Sequence, residues 1–167
     1  MTSASAASYQ QRRSAARLAA IQALYALDVS GSAVDRVIAD FVERSWVPAE
    51  HPADAAKPDE VFLRTLVEGV AAHRPEIDMA IRDVLTGGWT LARLEILLQA
   101  ILRAGAYELS AQPDVPAKVV INEYLEISHA FFAGKEPGLV NAVLDRLASR
   151  FRGEPGSGPG GNGRADD

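Results

Sequence analysis

Residues 91–109 read LARLEILLQAILRAGAYEL. Leu94, Leu97, Leu98, Ile101 and Leu102 fall at intervals of three and four, the spacing that gathers side chains on one face of an α-helix. Thr90 suits the N-cap of this segment, so a single long helix from Leu91 to Leu109 is expected. Working outward, the same period recurs on both sides. Upstream, a first helix runs from Arg12 to Leu27 with Leu18, Ile21 and Tyr25 in one stripe and Leu24 beside it, and Gly31 ends it. A second spans about Ala33 to Trp46, before a loop marked by Pro48, Pro52 and Pro58. A third, about Asp59 to Ala72, buries Phe62, Leu63, Leu66 and Val70. A fourth starts near Pro75, carries Ile77, Ile81, Val84 and Leu85, and stops at Gly87-Gly88.

Downstream, Asp114 and Pro116 open a sixth helix. Val120, Tyr124, Ile127 and Phe131 point one way along it, and Lys118, Asn122, Glu126 and His129 the other. Gly134 ends it. Pro137 begins the last helix, with Val140, Val143, Leu144, Leu147 and Phe151 inward. β-branched residues follow the helical period and do not alternate, so no strand is expected. The expected fold is all-α: a single-domain bundle of about seven helices, its first four and last three forming two subdomains. Residues 10–152 make up this domain. Residues 1–9, rich in Ala and Ser, read as a flexible N-terminus, and the Gly-rich residues 153–167 as a disordered tail.

Composition excludes several functions. The 167-residue chain has no cysteine, which removes disulfides, thiolate zinc sites and thiol catalysis. His51, His73 and His129 lie in no metal-ligand spacing and read as surface positions. No phosphate-binding loop, dinucleotide fingerprint or nucleophile elbow is present. Asp78 and Arg82 are four apart, which reads as a surface ion pair. No catalytic constellation or cofactor site is therefore expected. No apolar run reaches the roughly 20 residues that span a bilayer. Arg12-Arg13 ahead of Leu18–Val29 resembles a twin-arginine export signal, but Gln22 and Asp28 interrupt it. A cytoplasmic location without membrane contact is the expectation.

The net charge of −5 is unevenly placed. Residues 1–27 hold Arg12, Arg13 and Arg17 and no acid. Arg13 and Arg17 are one turn apart on a helix face, in the first turns, where cations oppose the helix dipole. Guanidinium groups there suit phosphates or unpaired bases, although from composition alone a solvated helix end is the more common meaning of such a charge run. Phe131-Phe132-Ala133-Gly134-Lys135 joins aromatics to a tight turn and a cation. That suits base stacking if a ring faces solvent, and core packing if it does not.

Four blocks together resemble the NusB family of bacterial antitermination factors. They are Arg12-Arg13-Ser14-Ala15-Ala16-Arg17 followed by Gln22-Ala23-Leu24-Tyr25; the stretch Ile101 to Leu109; Asp114-Val115-Pro116-Ala117-Lys118-Val119-Val120-Ile121-Asn122-Glu123; and Leu139-Val140-Asn141-Ala142-Val143-Leu144-Asp145. The resemblance implies an all-α RNA-binding protein without cofactor or catalysis. Such a protein binds boxA RNA together with the ribosomal protein NusE and joins the RNA polymerase antitermination complex. It places Arg12, Arg13, Arg17, Lys118, Phe131, Lys135 and Asn141 on the RNA face, and Tyr25 and Glu95 on the NusE side. Ser14 and Ala15 stand where some relatives have cations, Leu139 and Ala142 where Phe and Gly are common, and Leu98 near an acidic partner-binding position. The module also occurs fused to RNA methyltransferases; no α/β cofactor domain follows residue 152, so methyl transfer is not expected. Two readings stay open at this level: an RNA-binding factor, or a protein-interaction scaffold of the same fold. Pairing into a homodimer is open too.

Overall fold

A computed structural model describes residues 2–43 and 56–153; of residues 2–8 it describes the backbone alone. The elements are α1 (Thr2–Ser30), α2 (Val34–Glu43), α3 (Glu60–Ala72), α4 (Arg74–Val84), a 3-10 turn (Leu91–Arg93), α5 (Ile96–Ala111), α6 (Ala117–Phe131) and α7 (Glu136–Arg152). Among the described residues there is no strand, no helix long and apolar enough to cross a membrane, and no acid or histidine cluster suited to a metal ion. Trp46, Pro48, His51, Pro52 and the tail beyond Gly153 lie outside the described residues.

Local chemistry explains several boundaries. Asp59 caps α3, its carboxylate accepting from the Phe62 amide at 3.1 Å. Pro75 sits in the first turn of α4 and Pro137 in that of α7. Gly153 ends α7 at φ 56°, a left-handed cap that costs a residue without Cβ little. α1 begins at Thr2, well ahead of the expected start at Arg12.

The expected single helix over 91–109 is broken. Leu91–Arg93 form a 3-10 turn, Leu94 is extended, and α5 starts only at Ile96. The three-residue period brings Leu91 and Leu94 onto one side, and both are buried. The Gln99 side-chain amide donates to the Leu94 carbonyl at 2.9 Å, which holds the break.

α5 is the axis of the molecule. It packs against α1, α3, α4, α6 and α7. Leu98, Ala100, Ile101, Leu102, Ala104, Gly105, Ala106 and Leu109 are all buried, as in a helix enclosed on most sides. A Cβ on Gly105 would lie 2.9 Å from both Leu144 methyls, so any larger residue there would force the buried Leu144 side chain to shift. α4 packs on α5 and α7 more than on α3, so packing does not divide between the fourth and fifth helices as expected.

A further expectation fails because the true partner is distant in sequence. Asp78 is buried and binds Arg103, with Nε–Oδ1 at 2.7 Å and Nη2–Oδ2 at 3.2 Å, not Arg82. Asp28 joins this cluster from the last turns of α1, accepting from Arg103 at 3.3 Å and Arg74 at 2.6 Å. Phe151, expected inward, is 37% exposed at the end of α7.

Candidate nucleic-acid and partner interface

The buried side of α1 consists mainly of alanines, Ala16, Ala19, Ala20 and Ala23, with Ile21 and Leu24. Small side chains bring the α1 backbone close to α3 and α5. The three arginines therefore meet three different environments. Arg12 is exposed, and its carbonyl accepts from the Asp59 amide at 3.1 Å, tying α1 to the start of α3. Arg13 is half-buried, with its guanidinium carbon 3.4 Å from the centre of the Phe62 ring. That distance is face-on cation–π contact, and it leaves the guanidinium edges for other acceptors.

Arg17 departs from the expectation of an RNA-facing cation. It is 1% exposed. Its Nε and Nη2 each donate to Glu108 at 2.8 Å, a bidentate fork onto a carboxylate that is itself fully buried. The Tyr124 hydroxyl donates to the same carboxylate at 2.9 Å. Glu123 lies 3.7 Å from Arg17 Nη1 and accepts from Ser14 Oγ at 2.9 Å. Ser14, where some relatives have a cation, thus ties α1 to α6. An arginine locked between α5 and α6 positions the helix; it does not meet phosphate.

Burial alone would lower the Arg17 pKa, but the hydrogen bond and charge of Glu108 overrule it and the group is raised. Burial, followed by the negative charge of Glu108, pushes the Tyr124 hydroxyl well above its usual value of 10.0. A raised folded-state pKa contributes stability that is intact below pH 10.0 and lost as pH rises toward the folded value. Tyr124→Phe is accordingly expected to flatten the alkaline loss of stability relative to the native chain. Urea titrations of both proteins across the alkaline range check this; parallel curves would remove Tyr124 from that role.

The remaining positions separate along α6. Lys118 is exposed in its first turn and Phe131 is exposed at its last residue. Thirteen residues of helix separate them by about 20 Å. Phe131 lines a groove of about 660 Å³ with Tyr25, Glu95, Gln22, Ile96 and Leu97, to which Phe41 of α2 also contributes. The structure thus joins Phe131, expected on the RNA face, to the two residues expected on the partner side. Tyr25 is 43% exposed, so it leaves the apolar stripe of α1 for this groove. Phe132 packs half-buried against the core instead. Leu98, expected near the partner surface, is buried in the core. Lys135 and Asn141 are exposed at and after the start of α7.

At the other end, a cleft of about 480 Å³ lies between α1 and the α5–α6 loop, and Arg13 is part of its wall. Arg152, the last residue of α7, holds that loop. Its guanidinium donates to the carbonyls of Leu109 at 3.1 Å, Gln112 at 2.9 Å and Val115. Sequence reasoning missed Phe62 as the seat of Arg13, and Glu108 and Tyr124 as the seat of Arg17. The one available signal was Glu108 itself, an acid in an otherwise apolar stretch.

The NusB family model matches residues 14–149. Curated relatives named transcription antitermination protein NusB include one from Rhodopseudomonas palustris (strain TIE-1), 47% identical over 144 residues, 86% of this chain and 82% of the relative. Another, from Bradyrhizobium sp. (strain ORS 278), is 48% identical over 86% of this chain and 85% of its own. Among solved structures, a NusB from T. maritima superimposes with TM-score 0.67 at 26% identity, covering 82% of this chain and 90% of that one. A chain from a complex of antitermination factors NusB and NusE with dsRNA gives TM-score 0.69 at 22% identity, over 84% of this chain and 98% of its own. With the family match spanning residues 14–149 and relatives at 47–48% identity covered over more than four fifths of their length, the chain belongs to the NusB family.

Proposed function

We propose that the chain is a transcription antitermination factor that binds boxA RNA together with the ribosomal protein NusE and joins the RNA polymerase antitermination complex. The observation that carries this reading is the groove holding Tyr25, Glu95, Ile96 and Phe131. It offers exposed aromatic and aliphatic anchors beside a single carboxylate, the composition of a protein-docking centre. The names of the curated relatives support the antitermination role, and the NusB–NusE–dsRNA complex supports the pair of partners.

With Arg17 withdrawn into a buried pair, the cationic surface of α1 reduces to Arg12 and Arg13. On a chain of net charge −5, two guanidinium groups hold RNA weakly, and a bound partner supplies the rest. Lys118, Lys135 and Asn141 extend the RNA face on this reading. The test is titration of the chain, with and without NusE, using boxA RNA and a scrambled RNA. Tight binding is expected only for boxA RNA and only with NusE present; equal binding of the scrambled RNA removes the specificity. Arg13→Ala is expected to weaken binding and to lower the salt slope by about one unit, the loss of one phosphate contact. An unchanged slope takes Arg13 off the RNA.

A further inference from the structure

We propose that the cleft between α1 and the α5–α6 loop takes one unpaired nucleobase of the bound RNA. The proposal rests on the RNA reading above and goes beyond it, from cations that attract a backbone to a pocket that reads a base. The walls differ in character. Tyr9 and Arg13 stand on the α1 side, with the guanidinium carbon 5.6 Å from the Tyr9 ring centre, and Pro116 and Val119 stand opposite. A π-bearing wall facing an aliphatic one suits the two flat faces of a base. Gln10, Gln112 and Asp114 complete the lining with amides and a carboxylate. A bare phosphate would meet that carboxylate as a like charge, whereas a base edge carries both donors and acceptors. Arg17 contributes to the same lining, and its Nη1 is buried without a hydrogen-bond partner among the described residues. The loop that forms the far wall is fixed in advance by the three carbonyls that Arg152 holds. A wall already in place spares a ligand the cost of ordering it.

Val119→Trp fills the cleft from a position 37% exposed, without removing Arg12, Arg13 or Lys118. The experiment uses the full chain with NusE, boxA RNA, and a set of boxA RNAs each carrying one abasic nucleotide. For the native chain, one abasic position is expected to weaken binding about tenfold, the scale of one stacked base. Val119→Trp is expected to bind intact RNA about tenfold more weakly, to be indifferent to that abasic position, and to keep the native salt slope. Unchanged affinity for NusE, together with a native melting curve, reports that the variant is folded. Gln112→Ala, on the loop side of the cleft, is expected to show the same loss at the same nucleotide. If both variants bind intact RNA as the native chain does, or if each abasic position costs them what it costs the native chain, the cleft holds no base while the RNA reading stands. If the native complex fails to bind boxA RNA, that reading falls and the proposal with it.

Discussion

Glu108→Ala is expected to cost about 3–5 kcal/mol of stability, the scale measured when one partner of a buried ion pair is removed. Glu108 is fully buried and accepts three hydrogen bonds, two from Arg17 and one from Tyr124. Its removal leaves a guanidinium with 2% of its side chain exposed and its Nε and Nη2 without an acceptor, together with an unsatisfied hydroxyl. Glu123, 3.7 Å from Nη1, cannot replace a bidentate partner on the opposite side. In a chain of this size the loss corresponds to a fall in melting temperature of about 10 °C or more. The double variant Arg17→Met, Glu108→Leu is expected to recover much of it, because it leaves neither charge stranded. Thermal and urea unfolding of the single and double variants decide the matter. A single variant within about 1 kcal/mol of native would show that water reaches the site.

Ile96→Asp is expected to weaken NusE binding by about 30-fold or more, the effect of a central interface contact worth at least 2 kcal/mol. Ile96 is 40% exposed in the groove, beside Tyr25, Leu97 and Phe131. A carboxylate there must lose water when an apolar surface closes over it, next to the existing charge of Glu95. The fold itself should tolerate the change. Ile96 is the first residue of α5, where an acidic side chain faces the positive end of the helix dipole. Calorimetric titration with NusE, paired with a melting curve, separates the two effects. Native affinity in a stable variant would place NusE elsewhere on the surface.

What could be read from the sequence was what local rules control. The Gly31 end of α1, the Asp59 cap of α3, the Pro75 and Pro137 starts of α4 and α7, and the stripe Phe62, Leu63, Leu66 and Val70 match the structure because caps and amphipathic spacing depend on neighbours in the chain, whereas α4 ends at Val84, ahead of the expected Gly87-Gly88 stop. The break at Leu94 did not show, because its cause is the joint burial of Leu91 and Leu94, a tertiary requirement acting on a segment of helical pattern. The same limit applies to charge. Arg17 on an arginine-bearing helix reads alike whether it faces water or Glu108. Asp78 has a local partner in Arg82 by spacing, yet pairs with Arg103 on another helix. Tyr25 and Glu95 could be named through the family resemblance, but only the packing of α1 beside α5 shows that they share a groove with Phe131.

The fork from Arg17 to Glu108 also sets a clock on synthesis. The two residues are 91 positions apart. At bacterial elongation speeds of roughly 5–20 residues per second, the arginine leaves the peptidyl-transferase centre about 5–20 s before its carboxylate is made. Until then the aligned alanines of α1 have no α5 to rest on, and α1 cannot complete its packing before α5 has been made.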